Sequence, residues 1–198
     1  MDPNHLSVRE MREDEKPIVL ELLKDGVKDA ENRLALHALT RPPALLVLAA
    51  LSSGLRFLLA SFPLALLLPV LLAVGGLKLL LRRRWGALPP LGDMGGPWVA
   101  VQGGEDVCGV VAMAPRGPAG VELTRLAVSR WHRRRGVGLR LLGFAEGRAR
   151  ARGGRRLVVP VAVGAEGAAG LLEGSGYRAE RGRGWLGYTF VREFSKDL

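Results

Sequence analysis

The sequence predicts an α/β fold of the α+β kind. It consists of a mixed, mainly antiparallel sheet with helices on both faces. The chain has 198 residues and 48% hydrophobic side chains, which suffices for a core. An apolar insertion at residues 42–84 predicts a transmembrane or hairpin segment. After this insertion, the first two strand-forming segments are joined as a hairpin, and the later ones alternate with helical segments.

The N-terminal part of the predicted domain, residues 1–41, contributes one strand and two helices. Residues 6–9 form a short strand, and the helix 14–24 carries four apolar side chains on one face. A second helix is predicted over 27–39. These elements belong to the same sheet as the C-terminal half of the chain.

The apolar insertion covers residues 42–84. No carboxylate occurs between Glu31 and Asp93, and residues 44–81 include 17 leucines but two charges. The uncharged core span 57–77, 21 residues, would be about 32 Å long as a helix, which matches a hydrocarbon core of about 30 Å. The insertion is therefore predicted to be a membrane segment, with membrane lipid as a partner.

Two arrangements of this segment stay open, a single span and a hairpin. Arginines flank it on both sides, at Arg41 and Arg82, and the positive-inside tendency draws both flanks to the cytosol. Pro63 lies near the middle. A single span would also separate the strand 6–9 from the rest of its sheet. We therefore expect a hairpin or re-entrant insertion at an intracellular membrane, with the folded domain facing the cytosol.

The remaining elements lie in residues 85–198, after a Pro/Gly-rich linker over 88–97. The helix 137–152 is predicted to turn Leu139, Leu142, Phe144 and Ala145 inward. Strands are predicted at 98–102, 107–114, 121–128, 157–163 and 186–194, and helices at 137–152 and 166–173, with a hairpin turn at Gly103-Gly104.

The formal charge of +10 is concentrated in one segment. Residues 130–156 contain ten arginines and one acid, Glu146, so this segment carries +9 and the rest of the chain is near neutral. Such a concentration indicates a polyanionic ligand at one place: a phosphate-bearing cofactor, nucleic acid or anionic lipid.

Cysteine and histidine usage excludes two classes of protein. Cys108 is the single cysteine and cannot form an internal disulfide, and His5, His37 and His132 lie far apart without zinc-ligand spacing. Neither a disulfide scaffold nor a zinc module is expected, and no metal is predicted. Cys108 is most simply a small core residue.

One stretch, strand then loop then helix, carries the chemistry. Two glycines at the mouth of a helix let backbone come close to a ligand, and the free N–H groups of the first helical turn suit a phosphate. Preceding arginines add charge-assisted hydrogen bonds. The stretch contains Leu126, Ala127, Val128, Arg133, Arg134, Arg135, Gly136, Val137 and Gly138.

This arrangement resembles the acetyl-CoA pyrophosphate loop of the GNAT N-acetyltransferases. Further matches lie in the expected order at 6–10, 107–111 and 171–177, so the resemblance covers nearly all of the chain outside the insertion. With the insertion, the chain is similar to the membrane-associated camello-related branch. A Rossmann dinucleotide site is a rival interpretation, but the third glycine and the following acidic residue are missing.

The resemblance implies transfer of acetyl from acetyl-CoA to an amine, on a protein or a small molecule, by direct attack. It implies that backbone groups of Leu126 and Val128 hold the pantetheine arm and that amides from Arg134 to Gly138 hold the pyrophosphate. Glu122 aligns with the carboxylate that some family members use as the base. The alternative is that Glu122 is an exposed strand carboxylate paired with one of the arginines.

The general acid is unknown. Family members often place a tyrosine where this chain has Leu172, and leucine cannot donate a proton. Tyr177 and Tyr188 are interpreted as structural residues. Three alternatives stay open: water protonates the thiolate, the protein is a weak catalyst, or it is an acetyl-CoA-binding sensor.

A rival from another class is a DNA-binding regulatory protein that uses the arginine-rich segment. Leucines recur at heptad spacing, as in a zipper. Pro63 and Pro69 interrupt that pattern, and the basic segment follows it instead of preceding it. The leucines are Leu51, Leu58, Leu72 and Leu79.

Overall fold

The structure of the protein is a computed structural model that describes residues 6–40, 42–58, 61–85, 96–163, 165–180, 182–185 and 188–198. Two 3-10 turns precede α1 and α4, and the second of these, Arg130–His132, is called the strap below. The helices are α1 Lys16–Leu39, α2 Pro42–Leu58, α3 Phe62–Trp85, α4 Val137–Ala151 and α5 Glu166–Gly174. The strands are β1 Leu6–Glu10, β2 Trp98–Gln102, β3 Asp106–Arg116, β4 Gly120–Val128, β5 Arg156–Ala162, β6 Arg178–Ala179, β7 Arg183–Trp185 and β8 Tyr188–Asp197.

The chain divides into two compact units. The sheet unit consists of Met1–Lys28 and Pro89–Leu198, and the helical unit consists of Asp29–Leu88. Within the described residues the sheet has the order β1-β2-β3-β4-β5-β8-β6, with β7 also paired to β8. Every described pair of strands is antiparallel except β4 with β5. The predicted mixed, mainly antiparallel sheet is confirmed.

Both faces of the sheet are covered by helices. Side chains of α4 and α5, including Leu141 and Leu172, pack with sheet residues such as Leu157 in one buried cluster. On the opposite face, a side chain added at Gly26 of α1 would lie 3.9 Å from Ala127 Cβ of β4. Alternate strand residues thus point to two apolar layers, as a sheet buried on both faces requires.

The predicted break between two N-terminal helices is wrong, because α1 is one helix of 24 residues. Gly26 lies between the two predicted helices. Glycine within a helix costs only about 1 kcal/mol relative to alanine, and α1 continues through it.

The inward face of α4 differs in part from the prediction. Leu142 and Ala145 are buried as expected, but Leu139 is 56% exposed, and Leu141 is buried in its place. The buried positions of α4 recur every three to four residues from Val137, which leaves Leu139 on the other side of the helix. There it lines an open groove that also includes Val8 and Phe144.

The single span 57–77, one of the two arrangements left open, is not one continuous helix. The run is divided between α2, which ends at Leu58, and α3, which begins at Phe62, with the non-helical Ser61 between them. The two helices contact each other. Among the described residues, no helix has the length and apolarity that crossing a membrane demands. The division falls next to Pro63. Proline lacks a backbone N–H and is tolerated in the first turn of α3, where an N–H would have no partner within the helix.

The C-terminal edge contains elements that the sequence analysis did not anticipate. The short strands β6 and β7 both pair with β8, which starts at Tyr188 and extends to Asp197 instead of ending at 194. The other predicted strands and helices of the sheet unit agree with the structure to within a few residues. Most of the predicted linker, 88–95, lies outside the described residues.

Candidate active site

Strands β4 and β5 separate part-way along their length. They pair in parallel only where Gly120–Glu122 faces Arg156–Val158. Beyond Glu122, β4 continues to Val128 paired with β3 alone, and β5 continues paired with β8 alone. Backbone N–H and C=O groups on the open side of β4 therefore need partners from outside the sheet. The gap between these two strands is a built site for an extended ligand.

The far end of β4 leads into the loop that the sequence analysis singled out. Arg134 and Gly136 adopt positive φ angles of 63° and 78°, and Gly136 is the N-cap of α4 without a side-chain cap. The first-turn amides of α4 consequently have no side-chain acceptor, and the helix dipole favours an anion there. Left-handed residues in such a loop turn successive N–H groups into a concave anion site. We call residues 133–138 the pyrophosphate loop.

Gly138 is required for close packing where the loop meets the sheet. A Cβ at this position would lie 3.3 Å from Leu171 Cδ2 and 3.8 Å from Val128 Cγ2. The first contact is tighter than nearly all real Cβ contacts. A larger side chain would therefore push the start of α4 away from the end of β4, which is the route from the gap to the loop.

The arginines of the basic segment divide into two groups. Several are engaged within the fold: Arg148 and Arg152 lie over the Trp98 ring at 5.8 and 5.5 Å, and Arg150 pairs with Glu146 at 3.7 Å. Arg133 Nε donates a hydrogen bond to Val128 O at 3.3 Å. The three consecutive arginines of the pyrophosphate loop are exposed. Part of the positive charge of the segment thus makes contacts within the fold, and three of its exposed arginines lie in the loop.

Glu122 is the last β4 residue paired with β5, so it lies where the gap opens. Its side chain is 28% exposed, and its Oε2 lies 3.4 Å from Arg116 Nη1. Arg116 also contacts Glu193 of β8, with Nη2 3.1 Å from Oε2. One guanidinium therefore contacts two carboxylates, one from β4 and one from β8.

Comparisons with known proteins agree with this geometry. Residues 79–177 match the model of the acetyltransferase (GNAT) family. The chain is 72% identical over its full length to the human protein named "Probable N-acetyltransferase 14", and 51% identical to the Xenopus tropicalis protein of that name, covering 100% and 98% of those proteins. The chain belongs to the acetyltransferase (GNAT) family. The predicted family and the predicted acyltransferase class are confirmed.

The fold of this GNAT acetyltransferase also matches a solved structure. The structure is that of a GNAT-family acetyltransferase from Staphylococcus aureus Mu50, with a TM-score of 0.59 at 11% identity. The match covers 98% of this chain and 99% of that one. At this identity the likeness concerns the fold alone. Membership of the camello-related branch stays a prediction.

Tyr177 of this acetyltransferase is a core residue, in agreement with its interpretation as structural. It is buried, and its hydroxyl donates a hydrogen bond to Glu146 Oε1 at 3.1 Å. Burial raises the pKa of this phenol far above its usual value, and the charge of Glu146 raises it further. Such a phenol is a weaker acid than usual, which counts against a role as proton donor.

The position where family members often carry a tyrosine gives no acid either. Leu172 of α5 is 1% exposed and belongs to the core cluster. Tyr188 begins β8, which confirms the strand assignment. Neither Leu172 nor Tyr177 is therefore a suitable general acid.

Sequence reasoning missed the partners of Glu122. Arg116 and Glu193 come from β3 and β8, and no local pattern connects them with β4. The zipper interpretation is wrong, because its heptad leucines fall on two helices separated at Ser61. A zipper requires one continuous helix.

Proposed function

We propose that this acetyltransferase transfers the acetyl group of acetyl-CoA to an amine, on a protein or a small molecule, by direct attack in a ternary complex. The observation that carries the proposal is the gap between β4 and β5, which runs from Glu122 to the pyrophosphate loop. An extended cofactor with a pyrophosphate at one end and a reactive group at the other fits that arrangement.

The residues divide the work along the gap. Amides from Arg134 to Gly138 would hold the pyrophosphate, because uncapped N–H groups and the dipole of α4 favour a doubly charged anion. Backbone groups of Leu126 and Val128 would hold the pantetheine arm and polarise the thioester carbonyl. Arg133 steadies the turn through its bond to Val128 O.

Acetyl-CoA supplies the thioester carbon that the amine attacks, and the residues of the chain handle the protons. Glu122 is the proposed base that takes a proton from the substrate ammonium, directly or through one water. The C–N bond forms as the C–S bond breaks, and the leaving thiolate takes up a proton. Water is the proposed source of that proton, because Leu172 cannot donate one and Tyr177 is a weak acid.

The test is calorimetric titration of acetyl-CoA into the full chain kept in detergent, beside Gly138→Trp. The wild type should bind one equivalent. Gly138→Trp should weaken binding at least about 100-fold, because it removes two or more hydrogen bonds to a charged group, each worth about 1.5–3 kcal/mol. Gly147→Trp is the matched control, since Gly147 lies on exposed α4 surface with open space around it.

The outcomes separate the proposal from its rivals. No binding by the wild type, or equal losses in the two variants, would overturn it. Binding without any turnover would indicate a catalytically weak acetyl-CoA-binding protein, the second candidate, which the core position of Leu172 favours.

We further propose that the enzyme acts at an intracellular membrane, with the sheet unit in the cytosol, through surface association of α2 and α3. These helices leave many large apolar side chains in contact with solvent, and Phe57 is 93% exposed. Burying each such side chain stabilises association by about 1.5–3 kcal/mol. The others on α3 include Leu64, Leu66, Leu67, Leu71 and Leu72.

Flotation of the full chain with vesicles of phosphatidylcholine, with and without phosphatidylserine, tests this second proposal. Phe57→Glu together with Leu71→Glu should reduce the bound fraction about 100-fold if both side chains enter the lipid. Leu139→Glu, an exposed apolar position in the sheet unit, should leave binding unchanged. Equal flotation of all three proteins would contradict the proposal.

A further inference from the structure

A cluster of metal-ligand side chains lies beside the pyrophosphate loop, outside the proposed reaction path. Asp106, Cys108 and His132 place a carboxylate oxygen, a thiol sulfur and an imidazole nitrogen within 4.8 Å of one another. The sequence gives no zinc-ligand spacing for these residues, since His132 is remote from the other two. The fold brings them together.

Local structure explains how the cluster forms. Asp106 and Cys108 are two residues apart on β3, and a break in the regular alternation of this strand brings their ligand atoms together. Val101 pairs with Val107 and Ala100 with Gly109, so Cys108 is the extra residue of a β-bulge. Bulges redirect side chains in this way and recur next to active sites.

One backbone hydrogen bond ties the residue before the strap to this bulge, and a second closes the turn of the strap itself. Ser129 N donates to Cys108 O at 2.8 Å, and His132 N donates to Ser129 O at 2.9 Å. These bonds hold the end of the strap, and with it the imidazole, close to the thiol. Two separate segments thus supply the ligands, which gives the cluster a defined geometry.

The imidazole is only partly satisfied by the protein. His132 Nε2 lies 3.3 Å from Asp106 Oδ2. Its Nδ1 is buried and has no hydrogen-bond partner among the described residues. A buried polar atom without a partner costs about 1–3 kcal/mol, so such atoms in native proteins call for an explanation such as an ion.

The donor set favours zinc among the common metals. Thiolate, imidazole and carboxylate together are typical Zn²⁺ ligands, whereas Mg²⁺ and Ca²⁺ prefer oxygen alone. Gln102 Oε1, 3.9 Å from the Cys108 sulfur, or a water can complete a tetrahedron. Tetrahedral zinc with bonds of 2.0–2.3 Å separates its ligands by about 3.3–3.8 Å, so the cluster needs to contract by about 1 Å.

Solvent reaches the cluster on the Asp106 side, so an ion can enter there and the thiol proton can leave. Cys108 is fully buried, but the Asp106 side chain is 67% exposed. Burial raises the pKa of the Cys108 thiol, the Asp106 charge raises it further, and the charge of Arg135 acts in the opposite direction. The thiol is therefore protonated in the free protein, and metal binding would release that proton to solvent.

We propose that Asp106, Cys108 and His132 bind one Zn²⁺ ion, which ties β3 to the strap in front of the pyrophosphate loop. The site does not depend on the proposed reaction, because none of the three residues takes part in it. Occupancy would fix the strap and so pre-organise the loop that follows it.

The experiment is titration of the reduced full chain with Zn²⁺ in competition with a chromophoric chelator, and with Co²⁺ as an optical probe. Acetyl-CoA is left out, because free CoA thiol binds zinc. One equivalent should bind, and Co²⁺ should produce a thiolate-to-cobalt charge-transfer band. The chain has a single cysteine, so that band reports Cys108 directly.

Two variants test the cysteine and the histidine as zinc ligands. Cys108→Ala and His132→Gln should each weaken Zn²⁺ binding at least about 100-fold, more than the loss of an outer-shell partner. His37→Gln, in α1, is the matched control and should bind like the wild type. Zinc binding that survives Cys108→Ala, or a wild-type cobalt spectrum without the thiolate band, would overturn the site. The wild-type spectrum decides the matter even if a variant fails to fold.

Discussion

The pyrophosphate loop and the region around Glu122 lie at opposite ends of the same strand, yet they are built differently. The loop is a continuous stretch, residues 133–138, and works through backbone amides and left-handed residues. The Glu122 region joins side chains from three strands through Arg116. The proposed anion site is thus a local feature of the chain, whereas the environment of the proposed base is a product of the tertiary fold.

This difference implies that binding and chemistry can be altered separately. A change in loop geometry should act on the affinity for acetyl-CoA, because the amides contact only the pyrophosphate. A change at Glu122 should act on the chemical step, because proton removal contributes in the transition state. A core residue remote from both should affect stability alone.

The largest effect is expected for Glu122→Gln. The amide preserves size but cannot accept a proton from the amine, so kcat should fall about 10²–10⁴-fold. The Kd of acetyl-CoA should remain within about twofold, because the loop is intact. Steady-state kinetics with an amine acceptor and calorimetry on the same preparations measure the two quantities.

Glu193→Gln is the matched control for that variant. It removes the other carboxylate of the same Arg116 and leaves Glu122 in place. Its kcat should fall far less than that of Glu122→Gln. Equal losses in the two variants would mean that the ion-pair network as a whole, and not proton transfer at Glu122, limits the reaction.

Much of the sheet unit could be predicted from the sequence, because its signals are local. Alternating apolar residues predicted β2, β3 and β4, and glycines next to arginines led to the proposed anion site. The same locality explains the limits of the prediction. Gly26 disfavours a helix by propensity, yet α1 continues through it.

Features that depend on remote contacts could not be predicted. The separation of β4 from β5 follows from where β8 pairs with β5, and no pattern within β4 encodes it. The Arg116 bridge and the Asp106–His132 contact each join segments without a shared motif. The apolar run 57–77 is evident from the composition, but its division at Ser61 is not.

A smaller effect is expected for Gly136→Ala. Gly136 has φ +78°, and a left-handed conformation costs a non-glycine residue about 1–2 kcal/mol. If the loop relaxes, its amides lose alignment and the Kd of acetyl-CoA should rise about tenfold with kcat unchanged. Gly147→Ala, a helical position with ordinary φ and open space, should leave the Kd unchanged and stabilise the fold by about 0.5–1 kcal/mol. A Gly136→Ala protein with wild-type affinity would show that the left-handed N-cap is not needed for binding.

The smallest effect on activity is expected for Tyr177→Phe. The variant loses the hydrogen bond to Glu146, so its free energy of unfolding, measured with urea, should fall by about 1–2 kcal/mol. Its kcat and its Kd for acetyl-CoA should stay within about twofold of the wild type. A large loss of kcat would instead make Tyr177 the missing acid.

The pH dependence of stability gives a second test of that core role. The folded pKa of Tyr177 is raised, so the phenol contributes stability that is present below its unfolded pKa of about 10 and is lost as the pH rises above it. Urea unfolding of the wild type should therefore weaken more steeply above about pH 10 than that of Tyr177→Phe, which lacks the ionisable group. Parallel curves would mean that the phenol titrates normally in the folded protein, and the buried bond to Glu146 could not then be what excludes it from acid catalysis.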